Sequence, residues 1–163
     1  FIALPTQFLN HDIFGRGDSE ATLQAAVDAS GLAEVVTFHG RIPLEDVPAA
    51  IAARDIGVAP TRRDPFTDIS LSTKIFEYGA MGKPAICSRL PMVERTFPPG
   101  TAWTYAPGDA ADLAAAILAA VDDPAAREAA AVRTRAIVDG LAWERESVAY
   151  VRIVEQLIGR RAG

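Results

Sequence analysis

A polar segment between a predicted strand and a predicted helix carries the residues best suited to chemistry in this sequence. Residues 61–73 hold two arginines, two aspartates and several hydroxyl side chains, and they run directly into a helical pattern. The first N–H groups of a helix have no partner within the helix, and its dipole is positive at that end. The junction at Ser70–Thr73 is therefore predicted to bind an anion such as phosphate.

Glu77 follows Thr73 by four residues, which places it about 6 Å further along the helix axis. A carboxylate at that distance from a bound diphosphate could accept two hydrogen bonds from the vicinal hydroxyls of a ribose. The alternative interpretations are structural: Glu77 as a solvated residue favoured by the helix dipole, and the hydroxyl residues as plain helix caps. Both interpretations stay open at the level of sequence.

Composition excludes several other classes of function. The 163 residues carry 16 Lys plus Arg against 21 Asp plus Glu, a net charge of −5, which disfavours a nucleic-acid-binding protein. The longest apolar run, 113–121, is too short to span a bilayer. The two histidines are far apart and show no spacing typical of metal ligands, so no metal site is predicted. Cys87, the single cysteine, is predicted to be a packing residue, and it fits a reducing compartment such as the cytoplasm.

Strand-like and helix-like patterns alternate along the chain, which predicts an α/β fold with a Rossmann-like parallel sheet and helices on both faces. We interpret residues 1–163 as a single domain. The segment after residue 87, with several prolines, is predicted to be a loop. Predicted strands lie at 13–14, 35–38, 55–59, 84–87 and 103–105, and predicted helices at 18–30, 43–53, 71–81, 109–121, 124–138 and 143–158.

Five segments, read in order, resemble the C-terminal, donor-binding half of GT-B glycosyltransferases of the retaining family 4 type. The most specific is Lys74-Ile-Phe-Glu-Tyr-Gly-Ala-Met-Gly-Lys-Pro84. The others are Ile13-Phe-Gly-Arg-Gly17, Val36-Thr-Phe-His-Gly-Arg-Ile-Pro43, Arg54-Asp-Ile-Gly-Val-Ala-Pro60 and Pro107-Gly-Asp-Ala-Ala-Asp-Leu113. The resemblance implies retaining transfer of a sugar from a UDP- or GDP-sugar donor, with no cofactor and no required metal.

The resemblance also implies roles for individual residues. Glu77 matches the second acid of the family's paired-acid motif and would bind the donor ribose. Asp68 is the nearest match to the first acid, which contacts the donor sugar, although eight residues separate it from Glu77 where relatives have seven; Asp64 is its rival. The diphosphate would contact Ser70, Leu71, Ser72, Thr73 and Lys74, and the nucleobase would lie beside Arg41 and Ile42.

Two departures from the family concern what accompanies this domain. Residues 1–12 contain no Arg or Lys, whereas relatives carry a basic pair on a strand and helix at the start of this half. We also expect the acceptor-binding half to lie outside this sequence, on a longer chain or a partner chain, and we expect the chain alone to be inactive. The last helix, 143–158, has a broad apolar stripe that either packs on its own sheet or crosses to the missing half; if unpaired, it predicts some self-association.

Three further hypotheses stay open. The chain could be a non-catalytic nucleotide-sugar-binding or regulatory subunit of the same fold, which would differ in releasing no nucleotide from a nucleotide sugar. A sugar-nucleotide epimerase would need clustered carboxylates and a histidine, which the sequence does not present. A purely structural role would be indicated if no nucleotide bound. We expect a cytoplasmic protein. A peripheral position at the inner membrane face, reached through the missing half, stays open as an alternative.

Overall fold

The computed structural model describes residues 10–159, and strands and helices alternate there as predicted. What was predicted for residues 1–9 and 160–163 lies outside the described residues. The strands are β1 (His11–Phe14), β2 (Val36–Gly40), β3 (Gly57–Ala59), β4 (Ala85–Ser88) and β5 (Trp103–Tyr105). The helices are α1 (Glu20–Ala29), α2 (Val47–Ala52), α3 (Thr73–Ala80), α4 (Pro91–Thr96), α5 (Ala110–Asp122), α6 (Pro124–Gly140) and α7 (Trp143–Gly159).

All the strand pairs are parallel, as predicted, and within residues 10–159 the five strands form two hydrogen-bonded sheets. β1 pairs with β2, and β3, β4 and β5 form a second sheet in that order. Within the described residues, β1 and β3 are not hydrogen-bonded to each other. The sequence predicts parallel strands and crossover helices, but the choice of neighbouring strand depends on pairing that a local pattern does not encode.

The three-stranded sheet is covered by helices on both faces. On one face, Ala85 and Cys87 of β4 pack in a cluster with Ile75 of α3 and Val93 of α4. On the other face, Ile86 packs with Tyr105 and with alanines of α5. Every residue of β4 is buried, as expected for a central strand of a parallel sheet with both faces covered. This sheet therefore forms the rigid framework at whose carboxyl edge loops can be positioned.

Three local predictions need correction. The proline-rich segment after β4 contains a short helix, α4, because Pro91 lies at its start, where proline's missing N–H and fixed φ are tolerated. The predicted helix 43–53 is divided into a 3₁₀ turn, Leu44–Asp46, and α2, with Pro48 in the first turn of α2. The helix predicted from residue 71 begins at Thr73, with Ser72 in an extended conformation before it.

The last helix, α7, has no buried residue. Its apolar side chains are exposed, so the interpretation that this stripe packs on its own sheet is wrong. No helix in the described part of the chain combines the length and hydrophobicity needed to cross a membrane.

Candidate functional site

A cavity of about 220 Å³ lies where β3 and β4 end and α3 begins. It is the place at which ligands bind in open α/β sheets, beyond the carboxyl ends of the strands. Three of the predicted site residues, Ser70, Leu71 and Ser72, line this cavity. The other lining residues are Ala59, Thr61, Phe66, Thr67, Ile75, Cys87, Ser88, Leu90 and Val93.

A larger cavity, about 440 Å³, lies at the opposite edge of the same sheet. Its lining includes Asp55 and Pro84, which precede β3 and β4, so it borders the amino ends of the strands. Its charged residues are of both signs, among them Asp55, Lys83 and Arg127. Its larger volume does not make this cavity the better candidate for the ligand site, because in this fold the loops and helix N-termini that bind ligands are at the carboxyl edge of the sheet.

The N-terminus of α3 lacks a capping side chain. Ser72 is the N-cap residue, yet its side chain makes no hydrogen bond to the first turn. The helix begins with a hydrogen bond from the Ile75 N–H to the Ser72 carbonyl, at 3.2 Å. The positive end of α3 is thus open for an anion, and the interpretation of Ser72 as a plain cap is wrong.

Glu77 lies one turn into α3 and is exposed. Thr73 is also exposed, whereas Ile75 and Gly79 are buried, so Thr73 and Glu77 share the outer face of the helix. Glu77 lies outside the lining of both cavities. A ligand that contacted the start of α3 and Glu77 would therefore run along this outer face.

Glu77 also affects the neighbouring tyrosine. Burial, and to a smaller degree the negative charge of Glu77, raise the pKa of Tyr78 above its ordinary value of 10.0. The Tyr78 hydroxyl donates a hydrogen bond to the carbonyl of Val58 in β3, at 3.3 Å. Its ring lies against Gly57, where a Cβ atom would be only 2.2 Å from Tyr78 Cδ2. The glycine therefore allows α3 to pack closely on β3.

The two aspartates of the loop before α3 are both engaged in the loop itself. Asp64 Oδ1 accepts hydrogen bonds from the N–H groups of Phe66 and Thr67, both at 2.8 Å, which forms a turn. Asp68 accepts two hydrogen bonds from the Arg63 guanidinium, at 2.9 and 3.3 Å. Neither aspartate lines the cavity. For Asp68 to contact a sugar, its pair with Arg63 would have to open.

The remaining predicted contacts lie elsewhere. Lys74 is exposed on α3, while Arg41 and Ile42 follow Gly40 at the end of β2, in the other sheet. Arg41 is exposed and Ile42 is half-buried, and neither lines the cavity. The structure thus brings Ser70, Leu71 and Ser72 together in the cavity and leaves the proposed nucleobase residues outside it.

A cluster that the sequence analysis missed joins the two sheets. The Asp12 carboxylate of β1 contacts both His39 Nε2 of β2 and the Arg54 guanidinium just before β3. Burial raises the pKa of Asp12, but the hydrogen bonds from His39 and Arg54 and their positive charge outweigh it, so the pKa is lowered below 3.8. The His39 ring also stacks on Phe14, with centroids 4.5 Å apart. Asp12 and His39 are 27 positions apart, and Arg54 lies in a third segment of the chain, so no local spacing signals the cluster.

Cys87 is buried, and the possible metal ligands among residues 10–159 are dispersed. Burial raises the pKa of the Cys87 thiol to about 12, which keeps it protonated at neutral pH. The prediction that Cys87 is a buried packing residue is confirmed. Among residues 10–159, no three His, Cys, Asp or Glu side chains are grouped so that they could hold a metal ion.

With this geometry established, comparison with known proteins identifies the family. The family model described as Glycosyl transferases group 1 matches residues 6–123. The chain belongs to this family. A curated relative, the 2-deoxystreptamine glucosyltransferase of Streptomyces kanamyceticus, is 27% identical over 118 residues, which are 69% of this chain and 28% of that protein.

Solved structures confirm the predicted GT-B fold of this group 1 domain. Sucrose-phosphate synthase from Thermosynechococcus elongatus has a TM-score of 0.78 and 25% identity, covering 91% of this chain and 38% of that one. HepE of Anabaena, solved with UDP and glucose, has a TM-score of 0.74 and 21% identity, covering 92% and 40%. The C-terminal domain of the group 1 protein LpcC from Francisella tularensis has a TM-score of 0.64 and 18% identity, covering 76% and 62%.

This chain covers only part of the length of each of these relatives. The chain spans 28% of the curated relative and about two fifths of two of the three solved proteins. These shares agree with the expectation that the chain corresponds to the C-terminal half of a group 1 enzyme.

Proposed function

We propose that this domain binds a nucleoside-diphosphate sugar, linked to UDP or GDP, as the donor half of a retaining glycosyltransferase. The observation that carries the proposal is the uncapped N-terminus of α3 beside the cavity at the ends of β3 and β4. The diphosphate binds at this helix end, since its free N–H groups and dipole favour negative charge. HepE of Anabaena, which was crystallised in complex with UDP and glucose, supports this choice of ligand class.

In the proposed complex, the ribose lies along the outer face of α3, where Glu77 accepts hydrogen bonds from its two hydroxyl groups. Thr73 and Glu77 are on that face, one turn apart, which matches the separation between phosphate and ribose. Arg41 and Ile42 would contact the nucleobase from β2, and Asp68 would contact the sugar after release of Arg63.

For the transfer step, this domain stabilises the leaving diphosphate. As the bond between the sugar and the phosphate breaks, positive charge develops on the sugar and negative charge on the departing phosphate oxygens. A fixed helix N-terminus stabilises that negative charge without reorganisation during the step. Lys74, exposed in the first turn of α3, can add positive charge, and we propose that no metal ion is required.

We also propose that the chain alone transfers no sugar. It spans only 28% of the curated relative and 38% to 40% of two of the solved proteins, so an acceptor site and further cations are expected from additional polypeptide. Incubation with UDP- and GDP-sugars should therefore release no nucleotide. Steady release by the purified chain would contradict this part of the proposal. If binding is seen without release even with its partner present, the chain is instead a non-catalytic binding subunit.

The first experiment is calorimetric titration of UDP, GDP and ADP into the wild type and the Glu77→Ala variant. Loss of two hydrogen bonds to a charged carboxylate should weaken the affinity for the preferred nucleotide by about ten- to a hundredfold. The matched control is Glu128→Ala, an exposed glutamate of α6 that borders the cavity at the opposite edge of the sheet. Equal affinity of the wild type and Glu77→Ala would refute the ribose contact, and no binding by the wild type would refute the proposed function.

A further inference from the structure

Ser88, the last residue of β4, is a buried polar residue on the wall of the cavity, with a relative exposure of 1%. Its hydroxyl oxygen has two partners. The Thr61 N–H donates to Ser88 Oγ at 2.9 Å, and Tyr105 Oη of β5 lies 3.0 Å from the same oxygen. The cavity is therefore bordered by a hydroxyl that is fixed from two directions by its neighbours.

The direction of the Ser88–Tyr105 hydrogen bond follows from where each proton can go. Each hydroxyl has one proton, and among the described residues Tyr105 Oη has no second hydrogen-bond partner. If Ser88 donated, the Tyr105 proton would be buried without an acceptor, which is costly. If Tyr105 donates instead, Ser88 Oγ accepts from both Thr61 and Tyr105, and its own proton is free to point into the cavity.

The chemistry of the cavity selects the group that would accept this proton. None of its described lining residues is charged, and several are apolar, including Leu71, Leu90 and Val93. A phosphate moved into such a cavity would lose its hydration without gaining a cation, whereas a neutral sugar loses far less. At about 220 Å³ the cavity is also smaller than a typical pocket for a whole ligand of this size, so it fits one part of the donor.

We propose that the cavity holds the sugar of the donor and that the Ser88 hydroxyl donates a hydrogen bond to a hydroxyl group of that sugar. Tyr105 is a positioning residue, because it orients the Ser88 proton without contacting the ligand. This inference rests on the proposed function, since it places the diphosphate at the adjacent start of α3. It adds Ser88, which the sequence analysis did not single out, to the residues that distinguish a nucleotide sugar from a free nucleotide.

The test compares UDP-glucose with UDP, or the corresponding GDP pair if the wild type prefers GDP, in calorimetric titrations. Ser88→Ala should weaken the affinity for the nucleotide sugar by about three- to tenfold and leave the affinity for the free nucleotide unchanged. Tyr105→Phe keeps the serine proton and should weaken the nucleotide sugar less than Ser88→Ala. Ser30→Ala, an exposed serine at the end of α1, is the matched control.

Each alternative outcome overturns the inference in a distinguishable way. If Ser88→Ala, folded by circular dichroism, binds both ligands like the wild type, Ser88 makes no contact, while the Glu77→Ala result still decides the proposed function. If Ser88→Ala weakens the nucleotide and the nucleotide sugar equally, the hydroxyl acts on the phosphates or on the fold, not on the sugar. If the wild type binds neither nucleotide, the proposed function fails and the inference fails with it.

If Ser88→Ala does not fold, Tyr105→Phe takes its place. A loss of affinity of Tyr105→Phe for the nucleotide sugar, without a loss of affinity for the nucleotide, would still support a role at the sugar.

Discussion

Among single residues, Asp12 is the one carboxylate in the described part of the chain that pairs with two basic side chains, His39 and Arg54. The side chain of Asp12 is 13% exposed and that of Arg54 is 41% exposed, so water partly screens the pair. Because Arg54 lies three residues before β3, this contact connects the first sheet to the segment that leads into the second.

We predict that Asp12→Asn destabilises the fold by about 1 kcal/mol at neutral pH, the scale of a partly exposed ion pair. Because the pKa of Asp12 in the folded protein lies below 3.8, the ionised carboxylate stabilises the fold above that pH. This contribution is lost as the pH falls through the lowered pKa. Urea unfolding from about pH 7 to about pH 2.5 should therefore show a difference between wild type and variant that shrinks below about pH 3.8. Asp122→Asn, at an exposed aspartate, is the control; a difference that is independent of pH would contradict the prediction.

Sequence alone could predict the residues near the start of α3 but not their contacts. Ser70 and Ser72 follow from a local pattern, in which a strand, a polar loop and a helix occur in order. Ser88 could have been noticed as a polar residue at the end of a buried strand, but its contact with Tyr105 depends on the register in which Ser88 and Tyr105 face each other in β4 and β5. The engagement of Asp68 by Arg63 likewise depends on the turn around Asp64.

At the scale of elements, α3 is held between the sheet and α6 by close approach at Gly79. A Cβ atom at this position would lie 2.7 Å from Val138 Cγ2 and 2.9 Å from Thr134 Cγ2. Thr134 is fully buried, and its hydroxyl donates to the carbonyl of Thr101, so it cannot easily move away. The position of α3, and with it the start that borders the cavity, thus depends on α6.

We predict that Gly79→Ala destabilises the protein by about 1–3 kcal/mol through overpacking, even though alanine favours the helix. Thermal unfolding should show the loss, and adding Val138→Ala should recover part of it because one of the two contacts is removed. Gly140→Ala in α6, where a Cβ atom would meet nothing within 4 Å, serves as the control. If the Gly79→Ala variant is as stable as Gly140→Ala, α3 and α6 can move apart without a loss of stability, which would contradict the prediction.

Element boundaries were predictable where a local signal sets them. Asp109 accepts hydrogen bonds from the N–H groups of Ala111 and Asp112 and begins α5, close to the predicted start. The short helix α4 was missed because it begins at Pro91 and is followed by Pro98 and Pro99, and prolines this close together favour a loop in a local pattern. How the strands of residues 10–159 divide into two sheets was not predictable, since it concerns which strands pair and not which residues form strands.

At the scale of the whole molecule, α7 presents a broad exposed apolar face. The side chains of this face share one side of the helix and are between 37% and 64% exposed: Tyr150, Val151, Ile153, Val154, Leu157 and Ile158. A helix with such a face is normally covered, either by its own domain or by another chain. That it crosses to an acceptor-binding half remains a prediction.

We predict that the chain self-associates through α7 as its concentration rises. Val154→Glu, near the middle of the apolar face, should shift the chain toward the monomer because a charge cannot be buried there without a partner. Light scattering or sedimentation over a range of concentrations measures the shift. Gln156→Glu adds the same charge on the opposite side of the helix and should not change association. A wild type that stays monomeric at high concentration would contradict the prediction.

The separation of the two sheets has a consequence for how the molecule opens. Among the described residues, the main packing contacts fall within the β1–α2 region or within the β3–α6 region, and few connect the two. Regions that share few contacts open with different free energies. The backbone amides of β1 and β2 should therefore exchange with deuterium well before those of β4, so that the first βαβ unit loosens while the framework of the cavity stays closed.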